Sequence, residues 1–163
     1  MLSDLQQLLS CRRERENRAA AALRQARLRL DRVKAEADGA RVRLEDHLQD
    51  KRERQDKLYR RSMRGRLSKQ QIDDLNIELD LMAEETDALA KHLKEAEAVV
   101  DQAAKEAENA AARYRQDRQV GDRWGHLVDD VADAEQRRLA TAEEFAIEDD
   151  LGDRRVAGEN GLG

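Results

Sequence analysis

The sequence predicts an all-α protein, a long antiparallel two-helix coiled-coil hairpin with its turn near residues 61–67. Three observations predict it. Charged residues make up 41% of the 163 positions, aromatics only 2%, and proline is absent. A thick core needs bulky side chains converging from several directions, and one Trp, one Phe and two Tyr do not supply them. A two-helix seam needs only a narrow stripe, which Ala and Leu fill. The second observation is that apolar residues recur at 3-4 spacing over long runs, and the third is that charge is sorted along the chain. Residues 1–66 carry 19 Lys+Arg against 11 Asp+Glu, whereas residues 67–163 carry 12 against 25.

The first helix is expected over about residues 2–60. Its seam runs Leu23, Ala26, Leu30, Val33, Ala37, Ala40 and Leu44, seven successive a and d positions with no polar interruption. Upstream, Leu2, Leu5, Leu8 and Leu9 form a separate apolar cluster, followed by the stretch Cys11 to Arg18, whose charge lies all round the helix. Beyond Leu44 the strict register places His47, Lys51 and Arg54 inside. A one-residue slip uses Leu48 and Gln55 instead, so a local change of winding is expected there.

The segment Arg60 to Ser68 breaks the pattern, and the second helix then opens on a complete start signal. Ser68 stands three residues before Gln71, the spacing of a capping box, and Leu67 is placed to staple onto Ile72. The second helix is expected over about 68–147. Its seam is Ile72, Leu75, Leu79, Met82, Thr86, Leu89, Leu93, Ala96, Val100, Ala103, Ala107, Ala110 and Tyr114. Gly121 and Gly125 each cost a helix interior about 1 kcal/mol relative to Ala, so softness or a bend is expected around them. The apolar pattern resumes less regularly from Leu127 to Phe145. Residues 1–148 are therefore read as one hairpin domain, and 149–163 as a flexible acidic, Gly-rich tail.

A single uninterrupted rod forming a dimer competes with the hairpin, because Leu58 and Ile72 are two heptads apart. That rod would bury Arg61, Gly65 and Ser68 in its seam, and an unpaired buried Arg is costly. Folding back instead pairs positions whose numbers add to about 133. This sets Leu44 beside Leu89, Leu30 beside Ala103 and Leu23 beside Ala110, large against small. His47 then falls opposite Thr86 in one polar layer, and Trp124 opposite Leu9.

The sequence contains no signature of enzyme chemistry. It has no phosphate-cradling Gly-rich loop, no nucleophile elbow and no His-Glu-x-x-His, and His47, His92 and His126 are far apart. No catalytic residue, cofactor site or metal site is expected. A lone Cys11 excludes an internal disulfide and fits a reducing compartment. No apolar run is long enough to span a membrane, and the first residues lack the form of a signal peptide. The expectation is a cytoplasmic protein, monomeric on its own and not inserted in a membrane.

Two surfaces are candidates for partner binding. At the closed tip, residues 51–69 hold nine basic residues against Glu53 and Asp56. Tyr59, Arg60, Arg61, Arg64 and Arg66 suit an acidic protein surface, since Arg pairs bidentately with carboxylates. Nucleic acid is disfavoured by the overall charge of -5. At the open end, Arg12, Arg13, Arg15 and Arg18 lie near the level of residues 115–121, with Trp124 close by and Asp129, Asp130 and Asp133 beyond. An end bearing both signs together with an aromatic suits insertion into a protein ring or cleft.

A chain of this size, built almost wholly of two antiparallel helices, rich in Arg, Glu, Gln and Ala and without Pro, resembles the YscO/FliJ-like stalk proteins of type III secretion and flagellar export. Such proteins are similar to the coiled-coil part of the rotary ATP synthase gamma subunit. The resemblance implies a central stalk inserted into the hexameric secretion ATPase, linked to the export gate protein and bound by export chaperones, peripheral to the membrane-embedded apparatus. Carried onto this chain, it implies that Arg12, Arg13, Arg15, Arg18 and Trp124 face the ATPase and that Tyr59, Arg60, Arg61, Arg64 and Arg66 face the gate. A tethering coiled coil without an export role, and a secreted substrate or chaperone of such a system, are the alternatives.

Overall fold

A computed structural model describes residues 1–161. Two helices carry nearly all of them, α1 over Leu2–Met63 and α2 over Lys69–Asn160. The described residues contain no strand. The fold is the expected all-α antiparallel coiled-coil hairpin. It divides into two compact units, each made from a stretch of both helices. One joins residues 1–20 to α2 from Arg113 onward, and the other is Ala21–Ala112 with the turn inside it.

In the turn-bearing unit, Arg29 Nη1 lies 3.0 Å from Glu106 Oε2, Arg41 Nη2 lies 4.0 Å from Glu97 Oε1, and His47 Nε2 lies 2.8 Å from Thr86 Oγ1. Rising numbers on α1 meet falling numbers on α2, so the strands of the seam are antiparallel. Leu23, Val33, Ala37 and Ala40 of α1 are buried, as are Met82, Ala103 and Ala107 of α2. Burying a Leu, Val or Met side chain contributes about 1.5–3 kcal/mol, against about 0.2–1 for an exposed ion pair. The apolar stripe therefore holds the helices together, and the charges decorate it.

The expected polar layer is present. Thr86 Oγ1 donates to the Met82 carbonyl at 2.8 Å, which leaves its oxygen to accept from His47 Nε2–H. Neither register holds throughout: His47, Leu48 and Lys51 are half-buried while Arg54 and Gln55 are exposed. One polar layer in an apolar seam penalises any sliding of the helices, because a shift strands its donors. Paired numbers add to 133 at His47 and Thr86, as expected, and to 135 at Arg29 with Glu106.

The capping box forms as read. Ser68 N–H donates to Gln71 Oε1 at 2.9 Å, and Gln71 N–H donates to Ser68 Oγ at 3.2 Å. The non-helical turn is residues 64–68, slightly later than the expected 61–67, because α1 continues to Met63. Near the turn two expected seam residues are out of the seam. Ile72 is 46% and Leu79 36% exposed. By the 133 pairing they fall opposite Arg61 and Arg54, both exposed, which leaves them only partly covered.

The helix end expected near 147 is corrected. α2 continues to Asn160, so the tail expected over 149–163 is helical through that residue, and Leu162 and Gly163 lie outside the described residues. No proline interrupts it, and Arg154 pairs with Asp150 one turn back at 3.3 Å. Every described residue from Gln136 onward is exposed.

Candidate interaction surfaces

In the unit formed by residues 1–20 and the second part of α2, the α1 seam does not stop at the Leu cluster. Leu2, Leu5, Leu9, Arg12, Glu16 and Ala19 are all half-buried, at unbroken 3-4 spacing. Leu8 turns outward, 48% exposed. Opposite them, Gly121 and Val128 are buried and Trp124 and Gly125 half-buried. Two charged side chains thus occupy seam positions between apolar layers.

The glycines make this possible. Arg13 Nη1 lies 2.9 Å from Glu16 Oε2 and 3.3 Å from Asp122 Oδ1. A Cβ at Gly121 would sit 3.0 Å from Glu16 Oε2 and 3.4 Å from Arg13 Nη1, and one at Gly125 would sit 3.3 Å from Arg13 Nη2. The α2 helix is unbroken through both glycines, whose role is to let a guanidinium and a carboxylate lie against its backbone. The hydrogen bond that Arg13 donates to Glu16, and then the one it donates to Asp122, raise its pKa above the ordinary arginine value. Arg12 Cζ lies 6.0 Å from the centre of the Trp124 ring, at the outer limit of a cation–π contact. Trp124 thus has Arg12 beside it, one turn beyond the expected Leu9. Here paired numbers add to 135 or 136, and the two- to three-residue drift from the 133 register accounts for the change.

Of the residues expected to face the ATPase, Arg12, Arg13 and Trp124 are brought together. Arg15 and Arg18 are exposed and make no ion pair among the described residues. Glu16, Gly121, Asp122 and Gly125 complete the cluster and escaped the sequence reading. The available signal was the pair of glycines four residues apart, which put two bare backbone positions on one face of α2.

At the turn, Arg60, Arg61, Arg64 and Arg66 are exposed without ion pairs among the described residues, and Tyr59 is 66% exposed. Ser62 Oγ donates to the Tyr59 carbonyl at 2.7 Å, closing the last turn of α1. Tyr59 lines a groove of about 420 Å³ with Leu58, Leu67, Ile72, Leu75 and Leu79. Arg61 lines a smaller one of about 200 Å³ that also holds Asp74 and Glu78. The basic turn thus carries an apolar surface that the sequence reading assigned to the seam.

No family model and no curated protein matches the chain. A solved structure does: the 2.8 Å crystal structure of the type III secretion protein YscO from Vibrio parahaemolyticus, with a TM-score of 0.79 over 91% of this chain and 93% of that one. The chain has the fold of YscO. Identity to YscO is 18%. A two-helix seam constrains only an apolar stripe and leaves the outer faces free, so the YscO fold persists where sequence comparison finds nothing.

Proposed function

We propose that the chain is the central stalk of a type III secretion export apparatus, inserting into the hexameric secretion ATPase and coupling it to the export gate and to export chaperones. The observation that carries this reading is the nearly end-to-end coincidence of its fold with that of YscO. In this reading the protein works in the cytoplasm, at the membrane-embedded apparatus, and performs no chemistry of its own.

The unit holding residues 1–20 meets the ATPase. Arg15 and Arg18 are exposed and without ion pairs among the described residues, open to carboxylates of the ring. Arg12, Arg13 and Trp124 are held in place by their own contacts and present a preorganised mixed surface. The turn meets the gate, with Arg60, Arg61, Arg64 and Arg66 steering an acidic surface and Tyr59 opening onto the apolar groove. An asymmetric helical pair inside a six-fold ring touches the subunits unequally. Unequal contact favours different nucleotide states in different subunits, which couples hydrolysis to movement of the stalk or opening of the gate.

The test is ATP hydrolysis by the purified secretion ATPase with and without the full chain, with hexamer formation followed by light scattering. Stimulation, and its loss in Arg15→Glu/Arg18→Glu, is expected. Unchanged hydrolysis and assembly at saturating chain would sink the reading.

A further inference from the structure

The turn-bearing unit has two unlike faces. On one, Arg41 bonds Asp38 at 3.2 Å and reaches Glu97 at 4.0 Å, bridging a shallow groove with ion pairs. On the other, a larger groove of about 650 Å³ lies open between the helices, with Val33, Ala35, Gly39, Ala96 and Val99 in its lining. Arg32, Glu36 and Arg43 stand on its α1 side, and none of the three makes an ion pair among the described residues. Glu95 stands on its α2 side.

Gly39 has no use within the chain itself. A Cβ there would meet only Arg43 Nη1, at an ordinary 3.6 Å, in contrast to the crowded position of Gly121. A glycine in mid-helix weakens the helix, so its presence needs a reason, and close approach of another backbone is the usual one. The surrounding surface gives a second, independent indication. Leu28, Ala35 and Val42 are heptad-spaced along α1, and Ile77, Leu81, Ala88, His92 and Val99 recur at intervals of four and seven along α2. Leu28 is 65% exposed, Val42 53%, Ile77 57%, Leu81 60% and Val99 44%. Of these, Ala35, His92 and Val99 line the groove, and the others continue their rows along the two helices; single exposed apolar residues are ordinary, whereas a repeated set marks an interaction surface.

We propose that this groove receives a third α-helix from another protein, amphipathic, with a stripe of large apolar side chains over Ala35, Gly39 and Val99. Along the flank above α1 that helix carries carboxylates about eleven residues apart, the spacing of Arg32 and Arg43. Charge complementarity shapes the occupant's edges: carboxylates over Arg32 and Arg43, three helical turns apart, with no acidic residue over Glu36 between them, and a basic residue over Glu95. The small residues beneath let the incoming helix approach as closely as the two already packed.

The probe is a labelled helical peptide of about three heptads with Leu at a and d and two glutamates eleven residues apart, titrated by fluorescence anisotropy against the full chain. Saturable binding with a Kd below about 100 µM is expected. Gly39→Met fills the groove without a clash, and weakens binding at least about tenfold while leaving the melting temperature unchanged or raised. Arg32→Glu/Arg43→Glu weakens it similarly, Arg41→Glu on the opposite face does not, and a peptide with lysines for the glutamates fails to compete. Absence of saturation up to about 1 mM overturns the proposal, as does equal affinity for Gly39→Met. So does a dimer of the chain by sedimentation that Gly39→Met dissociates, because a second copy then fills the groove.

Discussion

Alanine in place of Gly39 and alanine in place of Gly121 make the same chemical change in the same kind of helix, and the two have opposite consequences. Each substitution removes backbone freedom from the unfolded chain and favours the helix by about 1 kcal/mol. For a chain of this length that corresponds to about 2–4 °C in Tm. At position 39 the new methyl meets only the end of Arg43 at 3.6 Å, so the gain is realised in full. At position 121 it would stand 3.0 Å from Glu16 Oε2, tighter than an ordinary contact, and 3.4 Å from Arg13 Nη1. Glu16 and Arg13 must then give by a few tenths of an ångström, which strains their 2.9 Å bond and the guanidinium's 3.3 Å contact with Asp122 and offsets the gain. Gly121→Ala is therefore expected to melt at least about 2 °C below Gly39→Ala, at or under the parent Tm. Circular dichroism at the helical band gives the melts, and Trp124 emission reports on the cluster itself. If both variants rise equally, the close packing of Arg13 and Glu16 on the α2 backbone is refuted.

Leu23→Ala, at a position 7% exposed in the seam, is expected to cost about 2–5 kcal/mol in urea unfolding. Ala40→Leu, at 1% exposure, is expected to cost about 1–3 kcal/mol by overpacking, read the same way. Ser68→Ala removes the cap oxygen that Gln71 N–H uses and is expected to lower stability by about 1 kcal/mol, with hydrogen exchange quickening at the first turn of α2. The raised pKa of Arg13 has a definite sign: its contribution is fully present below the ordinary arginine value and is lost only as pH rises through the raised one. Trp124 emission is therefore expected to stay constant between about pH 8 and pH 9.5, and a shift in that window would contradict the arrangement.

The helices, their antiparallel pairing and the polar layer were legible because each rests on a periodicity or a spacing. The 3-4 runs, the Ser68–Gln71 interval and the opposition of His47 to Thr86 are all properties of residue type and position. What the sequence concealed depends on where side chains lack company. Ile72 and Leu79 have seam spacing but face a polar stretch of α1, so they line an exposed groove instead. The charged run from Cys11 to Arg18 hid a continuing seam, because a reading that admits only apolar residues inside cannot place Arg12 and Glu16 there. The bare backbone at Gly121 accommodates Glu16, and together with Gly125 it seats the Arg13 guanidinium that pairs with it. The end of α2 was misjudged for a different reason: acidic and Gly-rich composition suggests disorder, whereas the absence of proline leaves the helix free to run on to Asn160.

The charge asymmetry acquires its meaning from these surfaces. The seam supplies the pairing, and among the arginines without ion pairs are those of the turn, Arg15 and Arg18, and the two that line one groove. In the proposed function Arg15 and Arg64 meet different partners, and secreting cells can separate them, with a photo-cross-linking amino acid at position 15 in one strain and at position 64 in another. Position 15 is expected to capture the secretion ATPase and position 64 the export gate. Capture of the same partner from both positions, or of neither protein from either, would contradict that function.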